Sequence, residues 1–424
     1  MKTVHFPYGK THLSYDFDED QLIGVLTSSI ENTQPMASGQ ELVEQALAAP
    51  VGTPPLSQLS RGKNKVVILA SDHTRPVPSR LILPPMLREI RRGNPGAQIT
   101  ILIATGCHRG TTKEELVEKF GPRIVAEETI VIHDCDSQQD LVELGTLPSG
   151  GQCQINRLAV EADLLVAEGF IEPHFFAGFS GGRKSVLPGV AGRATVLANH
   201  CSEFIAHPLA RTGQLEGNPI HRDMLWAARQ AKLAFIVNVV LNSKKETIFA
   251  VAGDLEQAHR QGTDFLSRLC EVAPVPADVV ISTNGGYPLD QNVYQAVKGI
   301  TAAEPTVKPG GVIVMLARSN DGVGGEHFYH QLADEPDRQK TMAQFLARSR
   351  SQTVPDQWQT QIFLRILAKA TVIYVSQLAP SLVESLHMVP AADLAQAMEL
   401  AKAILKNPAP TVTAIPDGVS VVVR

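Results

Sequence analysis

Two histidines and three cations in this chain are of types that can run proton and anion chemistry. His108 lies in ATGCHRG and His174 opens HFFAGFSGGRKSVLPG (174–189), each beyond a short apolar run. Imidazole titrates near neutral pH, so two of them can take and give protons in one reaction. Arg75, in ASDHTRPVPS, and Lys298, in QNVYQAVKG, are suited to clamp a carboxylate or a phosphate. Lys184 invites covalent chemistry, because the adjacent Arg183 is expected to lower its pKa toward a nucleophilic amine. The same run imitates a phosphate-binding loop. Gly178 to Lys184 has the Walker length, but Arg183 stands where that motif requires glycine.

Each residue also has a plainer reading, and the residues alone leave both open. His174 neighbours Phe175 and Phe176 and can pack on their rings. His108 precedes a helix start, where a positive dipole end favours anions, or it can hydrogen-bond its own turn. Tyr294 and Lys298 are four apart and share a helix face with Gln295 beside it, yet the Lys298 stem can simply cover apolar surface. Trp358, Ile362 and Ile366 form an apolar stripe that reads as core, with Trp358 at the first turn where an aromatic can wall a pocket. His200, in ATVLANHCSEF, reads as an ordinary satisfied histidine on a helix. Neighbouring Cys201 would face about 100° away, so the two make a poor chelate.

The elements that must position these groups follow from the apolar runs. KVVILAS (65–71), ITILIAT (99–105), ADLLVAEG (162–169) and AFIVNVVLN (234–242) alternate with helical patterns. One helix is announced by Thr111 and Thr112 ahead of Glu114 and Glu115, as a capping box. Such alternation predicts parallel strands with crossover helices. A pair of prolines in APVPADVV (273–280) marks a restart of the rhythm. The expected organisation is an N-terminal cofactor-binding α/β domain over 1–270 and a C-terminal α/β domain over 275–410. A strand pair over 411–424 is left without a parent domain. Both domains are expected to be Rossmann-like, with the active site in the cleft between them, since ligands gather beyond the carboxyl ends of strands in open α/β sheets.

Bulk properties exclude several classes. With 38 Lys plus Arg against 43 Asp plus Glu, the net charge is −5, so no basic field awaits nucleic acid. No apolar window approaches a membrane span, and the first residues show no secretory pattern. The five cysteines include no C-x-x-C pair, so neither a zinc ribbon nor a disulfide framework is expected, and the cytoplasm is the expected location. From the residues alone, the reading reaches an enzyme for an anionic small molecule, with the reaction open.

At those same residues the chain resembles the nickel-dependent lactate racemase family. The resemblance rests on ASDHTRPVPS, ATGCHRG, EADLLVAEGFIEPHFFAGFSGGRKSVLPG, ANH, STNGGYPLDQNVYQAVKG, DGVGGEHFYH and VPDQW, and runs from end to end. It implies a nickel-pincer nucleotide, a pyridinium mononucleotide with thioamide and thiocarboxylate arms, joined covalently to Lys184. His200 would ligate its nickel, reversing the plainer reading of that residue. D- and L-lactate would interconvert by reversible hydride transfer to the cofactor through pyruvate, with His108 and His174 each serving one enantiomer. Arg75, Tyr294, Gln295 and Lys298 would anchor substrate and Trp358 would wall the pocket. Asp72, Arg75, Phe176, Gly181 and Gly182 would meet the cofactor. Enzymes of cofactor synthesis and nickel insertion would be partners. A racemase or epimerase of another 2-hydroxy acid is the nearest alternative. A nucleotide phosphohydrolase and a non-catalytic nickel or nucleotide carrier lie further off.

Overall fold

Two six-stranded sheets, with helices packed on them, are present in the computed structural model, which describes residues 1–424. Contacts divide the chain into two compact units. No helix is long and apolar enough to cross a membrane.

One unit comprises residues 30–200 and 209–268. Its sheet runs, in spatial order, Thr247–Gly253, Leu233–Leu241, Leu164–Phe170, Lys65–Ser71, Gln98–Ala104 and Thr129–Ile132. All neighbours are parallel except the first pair. Continuous burial from Val66 to Ala70 and across Leu164–Phe170 explains why these strands read as unbroken apolar runs: both faces are covered. The helix Ser79–Gly93 buries Ile82, Leu83, Met86 and Ile90, spaced on one face, against Ile68, Ile101 and Val166. Thr112 caps the helix Lys113–Phe120 through a capping box with Glu115, one of the two options in the sequence.

Strand order in this sheet reverses at one place. The chain runs outward from Lys65–Ser71 through Gln98–Ala104 to Thr129–Ile132, then returns to lay Leu164–Phe170 on the other side of Lys65–Ser71. Loops leaving the carboxyl ends of these two strands therefore diverge, and they carry Asp72–Arg75 and Glu172–Lys184.

The other unit comprises residues 1–29, 201–208 and 269–424. Its sheet runs Val389–Ala391, Thr371–Val375, Val307–Leu316, Ala277–Thr283, Val412–Ile415 and Leu22–Val25, all parallel. Here too order reverses, between Ala277–Thr283 and Val412–Ile415. The compact units depart from the expected boundaries in three ways, the first being that residues 201–208 fall in the unit of the C-terminal sheet. Residues 1–29 belong with the C-terminal sheet, because Leu22–Val25 pairs with Val412–Ile415 at its edge. The segment 411–424 is not a strand pair of its own: Val412–Ile415 is an inner strand, and Val422–Val423 pairs with Glu271–Val272. A Pro-Asp-Gly turn suggested a hairpin, but the buried Val412–Ile415 run needs a strand on each side.

The stretch expected as one helix around His200 is broken. Arg193–Asn199 ends with His200 as its C-cap, and Cys201, in extended conformation, starts Ser202–Ala206.

Candidate active site

His108 follows the strand Gln98–Ala104 and is anchored by Asp72, which follows the neighbouring strand. Its Nδ1 lies 2.7 Å from Asp72 Oδ2, while the other carboxylate oxygen accepts from the Thr74 N–H at 3.1 Å and its hydroxyl at 2.6 Å. Burial works against ionising Asp72, but the His108 hydrogen bond and charge, the Thr74 hydroxyl and the Arg75 charge together hold its carboxyl at about 2. A carboxylate accepting at Nδ1 puts the proton there, so the neutral ring presents its lone pair on Nε2. That is the arrangement of a base with an orienting acid. The resemblance assigned Asp72 to the cofactor; the geometry gives it His108 as a partner.

His174 is held differently. The short strands Pro173–His174 and Gly178–Phe179 pair antiparallel, and the Ala177 N–H donates to His174 Nδ1 at 3.3 Å. Accepting at Nδ1 puts the neutral ring's proton on Nε2. The ring stacks on Phe175 at 5.1 Å and meets Phe176 edge-on at 4.5 Å. Packing on the phenyl rings, the plainer reading, is thus present together with a polar anchor.

Arg183 sets the shape of this loop. It is wholly buried, and its guanidinium donates to the carbonyls of Ala177 at 2.8 Å and Gly181 at 3.2 Å. It also meets His221 Nδ1 and His259 Nε2, each at 3.0 Å. Burial pushes its pKa down to about 9, and burial with the Arg183 charge pushes His221 to about 3 and His259 well below its usual value. These contacts direct the side chain into the loop's own carbonyls, a role its sequence neighbour Lys184 did not reveal. Gly181 and Gly182 have positive φ, and a Cβ on either would strike Asn238 or His259. Asn238 Oδ1 in turn accepts the Gly182 N–H at 2.8 Å.

Lys184, Phe176 and His200 come together in this unit. Lys184 Nζ lies 6.0 Å from the Phe176 ring centre, and His200 meets that ring edge-on at 5.1 Å. His200 is buried, with Nδ1 2.9 Å from the Val196 carbonyl, so Nε2 bears the lone pair. Burial first, and then the Lys184 charge, push its pKa to about 3, leaving a neutral imidazole. The turn of His108 touches the segment beyond Lys184, since the Gly106 N–H donates to Gly189 O at 2.9 Å.

In the other unit, the helix Val293–Ala303 carries Tyr294, Gln295 and Lys298, and Asn292 caps its start by accepting the Gln295 N–H. Tyr294 packs edge-on to Phe328 at 5.6 Å and hydrogen-bonds Trp358; burial and the Asp356 charge push its hydroxyl upward. Gln295 Oε1 is buried without a protein partner, an acceptor suited to a ligand donor. Trp358 lies in the first turn of Gln357–Lys369, and Ile362 and Ile366 are core.

One contributor escaped the sequence reading. Glu168, inside a strand and fully buried, accepts from the Ser71 N–H at 2.9 Å and the Ser79 hydroxyl at 3.1 Å. It thereby ties both ends of the loop carrying Asp72 and Arg75. Burial raises its pKa against the pull of Lys119, whose Nζ donates to the Arg75 carbonyl at 2.9 Å. A lone acid within an apolar strand run was the only available signal.

Comparison with known proteins decides the family. Residues 8–213 match the family model for the lactate racemase N-terminal domain and residues 272–423 that for the C-terminal domain. The chain belongs to the lactate racemase family. It is 52% identical over 425 residues to the lactate racemases of Thermoanaerobacterium thermosaccharolyticum and Lactiplantibacillus plantarum, covering 100% of both chains in each case. The lactate racemase apoprotein structure from the former superposes with a TM-score of 0.96 at 51% identity over 100% of both chains. A Thermotoga maritima protein shares the fold alone, with a TM-score of 0.64 at 19% identity over 90% of this chain and 97% of that one. Family membership thus extends over both units, including the strand Leu22–Val25 and the C-terminal strands.

Proposed function

We propose that this chain is a lactate racemase, interconverting D- and L-lactate with a nickel-pincer nucleotide held at Lys184. The observation that carries the reading is the grouping of Lys184, Phe176 and a neutral, buried His200, on the loop that His174 begins. The residues fit the group. The Lys184 amine would be the attachment point, and the His200 imidazole would give the nickel one nitrogen ligand beside the cofactor's own sulfur arms. Phe176 offers an apolar face between them. Arg75, Gly181 and Gly182 are the remaining candidates for contact with it.

When bound, the nucleotide supplies the acceptor and donor for the hydride on the substrate Cα. The chain's part is proton transfer and positioning. His108, with its Nδ1 proton held by Asp72, is set to take the hydroxyl proton at Nε2. His174, accepting from Ala177 at Nδ1, is set to donate a hydrogen bond from Nε2 to the oxygen of the planar keto acid. For the opposite enantiomer the roles exchange: His174, doubly protonated, gives the oxygen its proton when that enantiomer forms and takes it back in reverse, and in either direction it must release the Ala177 N–H, the longer of the two anchors. Within its own unit Arg75 suits a carboxylate; in the other unit Lys298 suits an anion, the unpartnered Gln295 oxygen suits a donor, and Tyr294 and Trp358 are the further substrate-binding residues that the family resemblance implies. Production alongside enzymes of cofactor synthesis and nickel insertion follows from this reading, as does a cytoplasmic location.

The test is a panel of D and L 2-hydroxy acids given to protein co-produced with those enzymes, together with its intact mass. Racemisation fastest on lactate and an adduct at Lys184 are expected. Full activity from protein of unmodified mass, or lactate as the poorest substrate, would overturn the reading.

A further inference from the structure

Two thiols meet beside the turn that carries His108. The Thr105 hydroxyl donates to the His133 carbonyl at 2.7 Å, and the His133 N–H donates to the Ile103 carbonyl at 3.2 Å. The two chain segments therefore leave the sheet side by side. Two residues further along, each carries a cysteine, and the Cys107 and Cys135 thiols are near enough to perturb one another. Cys135 is buried, whereas Cys107 is partly open to solvent. Arg193 faces the pair, gripping Asp136 with two bonds of 2.7 Å and donating its N–H to the Cys135 carbonyl at 3.1 Å. The carboxylates of Asp134 and Asp136 lie within 4.8 Å of the Cys135 sulfur.

The two sulfurs are unequal. The neighbouring Cys135 thiol, with help from the Arg193 charge and against burial and Asp136, lowers the Cys107 thiol. The neighbouring Cys107, followed by burial, raises Cys135. An accessible sulfur inclined to the thiolate, beside a protected thiol, is the pattern of a redox pair.

We propose that Cys107 and Cys135 form a peroxide-oxidisable disulfide site that governs the setting of His108. The Cys107 thiolate attacks the peroxide O–O bond, giving a sulfenic acid and, with a proton, water. The Cys135 sulfur then attacks that sulfenic sulfur, the S–S bond forms, and the departing hydroxide leaves as water with the Cys135 proton. Two thiols lose two electrons and hydrogen peroxide becomes two waters. A disulfide of about 2.05 Å is shorter than any thiol hydrogen bond, so closure draws the Cys107 segment toward Cys135. His108 is the next residue, and a displacement of about 1 Å from its Asp72 anchor is enough to cost on the order of 100-fold in rate. The rate effect rests on the proposed role of His108; the disulfide itself does not.

The first experiment therefore needs no activity. Reduced apoprotein is treated with hydrogen peroxide, alkylated and mapped without reductant. A linked Cys107–Cys135 peptide lacking two hydrogen atoms, reversed by dithiothreitol, is expected, with Cys153, Cys201 and Cys270 alkylated as before. Finding Cys107 only as free thiol or sulfinic acid overturns the site. In cofactor-loaded enzyme, peroxide should slow racemisation at least tenfold, reversibly, while Cys135→Ser, unimpaired before treatment, should yield a dimedone-trapped Cys107 sulfenic acid and no disulfide. A mapped disulfide with an unchanged rate overturns the effect on His108. Wild-type rates from His108→Ala would instead sink the functional reading and leave the mapped disulfide standing.

Discussion

His108 and His174 follow strands of one sheet with a single strand between them, and their rings are fixed by opposite chemistry. His108 is half exposed and tied to a buried carboxylate. His174 is set among phenyl rings and tied to a backbone N–H. The first ring is left with its lone pair outward, the second with its proton outward. The supports beneath them differ in the same sense. Asp72 is an anion made stable by neighbours, and Arg183 is a cation buried among carbonyls and two neutral histidines. What this teaches is that two residues of one type are given opposite neutral tautomers by their anchors.

The largest effects should come from removing either ring. His108→Ala and His174→Ala are each expected to slow racemisation by roughly 10²- to 10⁴-fold in both directions, the usual worth of a positioned acid or base. Wild-type rates from either variant would end the comparison. Removing one anchor should do less. Asp72→Asn is expected to lose about 100-fold, because an amide can hold the wrong tautomer of His108, while the adduct mass at Lys184 stays as in wild type. If the adduct is lost instead, Asp72 serves the cofactor and not the base.

The Arg183 side of the comparison is sharpened by stability. Arg183→Met leaves the Ala177 and Gly181 carbonyls without their donor, and urea unfolding should show a loss of about 3 kcal/mol. An unchanged midpoint would remove Arg183 as the organiser of the His174 loop. The smallest effect is acid dependence at Asp72. Its folded carboxyl binds a proton less readily than the unfolded one, so its ionised form stabilises the fold above about 3.8, and that stability is lost as pH falls through about 2. The difference is about 2 kcal/mol at neutral pH. The gap between wild type and Asp72→Asn should accordingly shrink between those pH values, and a constant gap would mean that His108 does not hold Asp72 ionised.

Much of the scaffold was legible. KVVILAS lies in place as Lys65–Ser71, because a β-branched run without polar interruption can only be covered on both faces. The candidates Lys184 and His174 lie on one loop, which the sequence already implied by their closeness in the chain. The hold of the Arg183 guanidinium on the Ala177 and Gly181 carbonyls was not legible, because a sequence shows which residues are adjacent and not where a buried side chain is directed. The break after Asn199 that leaves His200 a C-cap was not legible, because a helical pattern does not announce where it stops when no proline or glycine marks the end.

By itself, the sequence determined the local matter: which runs become strands, that a capped helix begins after the Thr111–Thr112 pair, and which residue types gather after strand ends. These depend on propensities and periods within a dozen residues. Only the tertiary structure decided that Asp72 meets His108 across 36 positions, that Glu168 ties Ser71 to Ser79, and that Leu22–Val25 joins a sheet begun at Ala277. Each depends on the order in which strands lie side by side. That order is chosen by the burial of whole faces and not by any short stretch of chain.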